Sequence, residues 1–291
     1  FSNSELSQIW IPSSVVELKS RCFYDANNLR RVTIMPNNPF YKNYEKNERI
    51  IFGKSDRKSD EFDVIVFVCK GNENIEIPSS IKEIYPFAFS NVYLNELTIP
   101  SNVTHLRKSA FYRCFIENYI EFSSNSQLQV IEKDALSISG INSLTIPSNV
   151  SYIEEGFIGN RSFKLKIMDG NKNFKIIDNK FLVSKTEITN STYDLLLYYI
   201  HKYDEIEITI PYFITRIGKY SFQNSLIKKV YIPKSVISIG KKSFYSCRAL
   251  KEIEIEKNSQ LQIIEKYAFA ESFIISISIP SKVTHIFDYA F

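Results

Sequence analysis

Glycine and alanine are scarce, at 8 residues each in a chain of 291. The same chain holds 42 Ile, 22 Phe and 18 Tyr, and so many β-branched and aromatic residues beside so few helix formers argue against a helical protein. Eight glycines supply neither a G-x-G-x-x-G turn nor a P-loop, which excludes the usual backbone cradles for phosphate. Histidine is scarcer still: His105, His201 and His285 are the only three. His105 (in VTHL) and His285 (in VTHI) share one repeat phase about 180 residues apart, so they read as echoes of a repeat, not as ligands converging on one ion. No G-x-S-x-G elbow occurs, no cysteine has an evident histidine partner, and the acid pair Glu154-Glu155 reads as solvated surface. The expectation is a non-enzyme with no cofactor and no metal.

Charge of one sign is also missing, because 36 Lys and Arg against 32 Asp and Glu leave a net charge of +4. That is too weak to point to nucleic acid or to an anionic membrane. No apolar run approaches the roughly 18–20 residues that span a bilayer. The opening FSNSELSQIWIP lacks the basic and apolar regions of a signal peptide, so localisation is not read from the chain itself. With 44% hydrophobic and 23% charged residues the chain nevertheless has the composition of a folded protein.

What is abundant is rhythm. An Ile-x-Ile string or a close variant, usually followed by Pro, ends at Ile11, Ile34, Ile77, Ile99, Phe122, Ile146, Ile167, Ile210, Ile232, Ile255 and Ile279. The intervals are 21 to 24 residues, apart from two of 43. Such a period is the signature of a solenoid. A longer cycle of 133 residues lies on top, for NSQLQVIEK at 125–133 returns as NSQLQIIEK at 258–266. Each 43-residue interval holds an insert, at about 37–74 and 171–206, whose paired β-rich runs predict a hairpin. The expected fold is a β-rich, right-handed solenoid of eleven coils forming one domain over 1–291, with a parallel sheet on one face and two hairpin inserts.

Within the repeat LNELTIPSNVTHLRKSAFYRC at 94–114, Leu94, Leu97 and Ile99 are expected to point inward from a strand that Pro100 ends, because proline gives no N–H to a ladder. Val103 and Leu106 pack the turn, and Ala110-Phe111 close the coil. The aromatic recurs at Phe23, Phe89, Phe111, Phe157, Phe222, Phe244, Phe269 and Phe291, with Leu136 substituting once. These predict a stacked, buried spine. Cys22, Cys69, Cys114 and Cys247 form no evident disulfide framework. Cys114 and Cys247 share a phase but lie five strand steps apart, roughly 24 Å, beyond the reach of a bridge. Buried thiols are expected.

The middle residue of each Ile-x-Ile faces away from the core, and stacked coils line these residues into a ladder. It comprises Trp10, Thr33, Glu76, Thr98, Glu121, Thr145, Lys166, Thr209, Tyr231, Glu254 and Ser278. Solenoids bind partners through such extended faces, and Trp10 and Tyr231 carry the aromatic character favoured at hot spots. N-x-S/T sequons at Asn102, Asn149, Asn160 and Asn190 are candidate glycosylation sites, although chance predicts about as many in a chain this rich in Asn, Ser and Thr.

The pattern I-P-x-x-V-x-x-I-x-x-x-A/S-F-x-x-C-x-x-L-x-x-I resembles the BspA-like (treponemal-type) leucine-rich repeats. IPSSIKEIYPFAF, IPSNVTHLRKSAFYRC and IPKSVISIGKKSFYSCRALKEIEI carry it most clearly, and NNPFYK and NKNFK before the inserts fit that family's hairpin. The resemblance covers essentially the whole chain. It implies a non-enzymatic protein-binding or adhesion module at the cell surface, recognising host or cell-surface macromolecules. An intracellular leucine-rich-repeat scaffold or regulatory protein in the cytoplasm is the alternative. The array opens and closes in mid-coil without polar caps, from which a longer protein is expected.

Overall fold

Alternation of buried and exposed side chains along short, proline-stopped strands accounts for most of the architecture in the computed structural model. It describes residues 1–71, 74–159, 163–187, 191–201 and 205–291. The chain is a β-solenoid of about twelve turns, one more than the strand count predicts, with parallel ladders and no helix among the described residues. The residues group into two compact units, Phe1–Gly159 with Met168–Gly170, and Asn160–Ile167 with Asn171–Phe291.

In the first unit, Gln8–Ile11 pairs in parallel with Arg31–Ile34, and Tyr93–Ile99 pairs with Cys114–Phe122. Leu94, Leu97 and Ile99 are all buried, as expected. They are not strictly alternate, and an irregularity in register between Leu94 and Glu96 absorbs the extra residue. In the second unit, Glu207–Thr209, Lys229–Ile232 and Glu252–Ile255 form a three-stranded parallel sheet.

Each unit also has a second parallel ladder. Glu83–Ile84, His105–Leu106, Val130–Ile131 and Tyr152–Ile153 stack in the first, and Arg216–Ile217, Ser238–Ile239, Ile263–Ile264 and His285–Ile286 in the second. Leu106, expected to pack a turn, is a strand residue here. The inserts join this second ladder and do not lengthen the Ile-x-Ile sheet. Val64–Val68 pairs in parallel with Glu83–Ile84, and Leu195–Tyr199 with Arg216–Ile217. Each insert contains the expected hairpin, Asn47–Gly53 with Val64–Val68 and Phe181–Ser184 with Leu195–Tyr199. Each also gains a third antiparallel strand, Lys42–Tyr44 or Phe174–Ile177.

Two Ile-x-Ile strings do not become strands. Ile75 and Ile77 are buried, but 74–78 is irregular. The edge this segment would have extended is already occupied, because Asn43 of the insert accepts from Ile34 N at 2.8 Å and donates to Val32 O at 2.7 Å. The side-chain amide thus satisfies the backbone groups a neighbouring strand would have paired. At 276–279 only an isolated bridge, Glu252 with Ser276, is formed.

The spine is present and runs through the inserts, although Phe291, stacked on Phe269 at 5.4 Å, is exposed and not buried. In the first unit the N–H groups of Val68, Phe89, Phe111 and Leu136 donate to the carbonyls of Ala88, Ala110, Ala135 and Phe157. In the second, those of Tyr199, Phe222, Phe244 and Phe269 donate to Ser221, Ser243, Ala268 and Ala290. The acceptor always precedes the next spine residue, so Ile158 stands level with Leu136. Phe157 fills the preceding position and, although buried, is not a spine residue.

Candidate binding face

The eleven ladder residues are all exposed or half-exposed, since the flanking apolar residues take the inward positions. Register brings some of them side by side. Trp10 pairs with Thr33, and Thr98 pairs with Glu121, whose carboxylate accepts from the Thr98 hydroxyl at 3.2 Å. Thr209, Tyr231 and Glu254 form one unbroken row across three strands. Thr145 and Lys166 lie exposed on Ser143–Ile146 and Lys164–Ile167. Glu76 and Ser278 are exposed but lie outside any strand. Trp10 is 61% exposed, which is unusual for the only tryptophan of the chain.

Charge is organised around the row in the second unit. Lys229 Nζ lies 3.2 Å from Glu252, 3.3 Å from Glu254 and 4.6 Å from the centre of the Tyr231 ring. Hydrogen bonding to Tyr231 and then to Glu252 pushes the Lys229 ammonium above its usual range. Beside this row lie two residues that the strand pattern does not single out, Tyr212 and Phe213. Tyr212 is 82% exposed, with its ring edge-on to Phe213. A signal was present, for IPYF at 210–213 stands where the first 133-residue block has IPSS at 77–80.

His105 and His285 occupy the second ladder of different units, each with its ring nitrogen 2.9 Å from the preceding threonine hydroxyl. His201 is packed against Tyr198 and Tyr199, and burial pushes its imidazole down to about 4. No group of three or more His, Cys, Asp or Glu among the described residues is placed to hold a metal ion. The four cysteines are unbridged. Cys69, Cys114 and Cys247 are buried, and Cys22 is half-buried instead. Burial raises the thiols, to about 11 at Cys22 and about 12 at Cys69 and Cys247. Glu154 is not merely solvated, because its carboxylate accepts from Lys133 N at 2.8 Å and so ties one coil to the next.

The sequon asparagines Asn102 and Asn149 are exposed, yet each donates its amide to a carbonyl of the preceding coil, Ser79 O and Ser126 O, at 2.7 Å. Asn160 and Asn190 lie outside the described residues. No helix among the described residues is long and apolar enough to cross a membrane.

Two solved structures share the fold. A leucine-rich cell surface protein of Faecalibacterium prausnitzii A2-165 is 22% identical over 98% of this chain and 70% of its own, with a TM-score of 0.61. The pneumococcal vaccine antigen PcpA is 19% identical over 80% of this chain and 75% of its own, with a TM-score of 0.51. No curated protein matches the chain significantly. The family model for the BspA-type leucine-rich repeat region matches residues 1–48, 62–189 and 198–291 in six copies. With stacked parallel coils, a buried spine and this match over most of its length, the chain belongs to the BspA-type leucine-rich repeat family.

Proposed function

We propose that this chain is a non-enzymatic binding module of a cell-surface protein, and that it adheres to proteins or other macromolecules of a host or neighbouring cell through the outward side chains of its Ile-x-Ile strands. The supporting observation is the solvent-facing row that each unit carries. Strands hold Trp10, Thr98 and Glu121 exposed in the first unit, and Thr209 and Glu254 exposed beside half-buried Tyr231 in the second, on scaffolds that do not depend on them for their cores. Aromatics that the interior does not need are what a protein interface uses as anchors. The family supports protein binding, and the solved neighbours are named as a cell surface protein and a vaccine antigen. The absence of a cofactor and of catalysis belongs to the same reading.

Surface plasmon resonance against immobilised extracellular-matrix proteins tests it. Trp10→Ala and Tyr231→Ala should each weaken binding several-fold. Lys242→Ala, away from the row and stacked on Tyr245, should not. Loss in the Lys242 variant alone would place binding on another face, and a wild type that binds no matrix or cell-surface macromolecule would overturn adhesion.

A further inference from the structure

Beside the row Thr209–Tyr231–Glu254, entirely within the second unit, the surface sinks into an open groove of about 660 Å³. Buried Ile210 and Ile232 form its floor, Tyr212, Phe213 and Tyr231 its aromatic side, and Asp178, Glu254 and Glu256 its acidic rim. No Lys, Arg or His among the described residues lines it. Asp178 is carried to the rim by a tight turn, with φ of 52° at Asp178 and 53° at Asn179 and Lys180 N donating to Ile177 O at 2.9 Å.

We propose that this groove takes an extended segment of a protein partner that presents an arginine or lysine side chain. The proposal rests on the binding-module reading and names the partner chemistry of its second-unit face.

Three observations carry it. The first is charge. Lys229 and Lys234 answer the acids from outside the groove, at 3.3 Å from Glu254 and 3.9 Å from Glu256. The Lys234–Glu256 pair is exposed on both sides and held weakly, so an arriving guanidinium exchanges with it at little cost, whereas Lys229 is largely covered and stays with Glu252 while Glu254 turns to the ligand. The second is shape. A guanidinium stacks on an aromatic face while its fork meets a carboxylate, which a ring and acids beside one another permit. The groove is open, and two strand spacings of about 4.8 Å give it the length of roughly three extended residues. The third is the internal duplication. At the corresponding positions, 133 residues earlier, the first block has Ser79, Ser80, Thr98 and Ser123 in place of Tyr212, Phe213, Tyr231 and Glu256. A coil of this type therefore closes without the aromatic pair. Phe213 contributes to the core cluster, but Tyr212 stands out of it.

The test is a titration of the full chain with the peptide Gly-Ser-Arg-Gly-Arg-Gly-Ser, followed by amide NMR shifts at low salt. Shifts should concentrate at Thr209, Tyr212, Tyr231 and Glu254. Affinity should fall at least tenfold in Tyr212→Ser and in Glu254→Gln/Glu256→Gln, survive in Tyr212→Phe, and fall at least fivefold when citrulline replaces arginine. Unchanged melting curves would exclude unfolding as the cause. Absence of binding, shifts confined to other surfaces, or equal affinity for the citrulline peptide would overturn the proposal. Matrix-protein binding that persists in full in both groove variants would also overturn it, leaving adhesion standing. Peptide binding at the groove by a chain that captures no matrix or cell-surface protein would uphold the groove and remove the adhesion reading.

Discussion

The rings of Phe222 and Phe244 stack with centroids 4.7 Å apart and planes 11° from parallel. Phe269 continues the stack 5.2 Å beyond Phe244, and Tyr199 of the insert precedes it 5.1 Å from Phe222. The insert is thereby built into the spine of the second unit. Phe244→Ala should cost on the order of 3–5 kcal/mol, the sum of lost burial and the cavity left behind. Phe244→Leu should cost less, since Leu136 fills a spine position in the first unit. In an array whose coils touch only their neighbours, hydrogen exchange should rise first over 222–269. A uniform rise through the chain would contradict that locality.

Two buried hydroxyls offer the opposite experiment. Ser221 and Ser243 are fully buried, and neither hydroxyl has a hydrogen-bond partner among the described residues. The same coil position holds Ala88, Ala110, Ala135 and Ala268, all fully buried. Removing an unpaired buried hydroxyl relieves its desolvation, worth about 1 kcal/mol. Ser221→Ala and Ser243→Ala should therefore raise the urea midpoint or leave it unchanged, and a clear fall would reveal a partner for the hydroxyl.

Acid should unfold the chain in two stages. Burial depresses His201 from 6.5 to about 4, so the unfolded state takes up a proton first. Stability is complete above 6.5, declines as pH falls from there to about 4, and loses on the order of 2–3 kcal/mol in that window. Asp63 and Asp194 act lower. Burial opposes their ionisation, but hydrogen bonds outweigh it, from Ser55 and Lys82 to Asp63 and from Thr186 and Thr215 to Asp194, and both carboxyls end below their usual range. Their contribution is present above the ordinary carboxylate value and is lost as pH falls through the depressed one. Denaturation midpoints measured from pH 8 to 3 should fall less between 6.5 and 4 in His201→Gln. Asp194→Asn should show a weaker fall below 4.

The elements that were legible share one property: they repeat a strong local pattern. Ile-x-Ile-Pro declares buried, exposed, buried and stop within four residues, so the first ladder and the exposure of its middle residues could be read directly. The second ladder could not, because its strands are two residues long and VTHL or VISI is too short to show a period. In the first insert the third strand was hidden by polarity, since Lys42–Tyr44 is polar and Asn43 acts through its side chain; in the second, the four residues Phe174–Ile177 are too short to show a period. Left-handed turns, too, left no mark in the sequence. Tyr220, Lys242, Tyr267 and Tyr289 take φ between 55° and 62° without glycine. Gly240 is required instead for close approach, since an added Cβ would lie 2.7 Å from Ile217 O. The groove escaped notice because Tyr212 and Asp178 lie beyond the strand pattern, one after a proline and one on an insert turn.

The side-chain amides of Asn102 and Asn149 act alike. Each spans a coil-to-coil gap at an equivalent point of the repeat, donating at 2.7 Å to Ser79 O and Ser126 O. Ser126 is buried, so its carbonyl is poorly reached by water once this donor is gone, and Asn149→Ala should cost about 1–3 kcal/mol. Asn149→Asp is nearly isosteric but places an ionised oxygen against the Ser126 carbonyl, replacing a donor with a repelling acceptor. It should cost more than the alanine variant at pH 7 and recover part of that loss at pH 3, where the protonated carboxyl can donate. Chemical denaturation of both variants at the two pH values, each referenced to wild type at the same pH, measures the difference. If Asp and Ala were equally costly at pH 7, the amide would be packing against the preceding coil and not bonding to it.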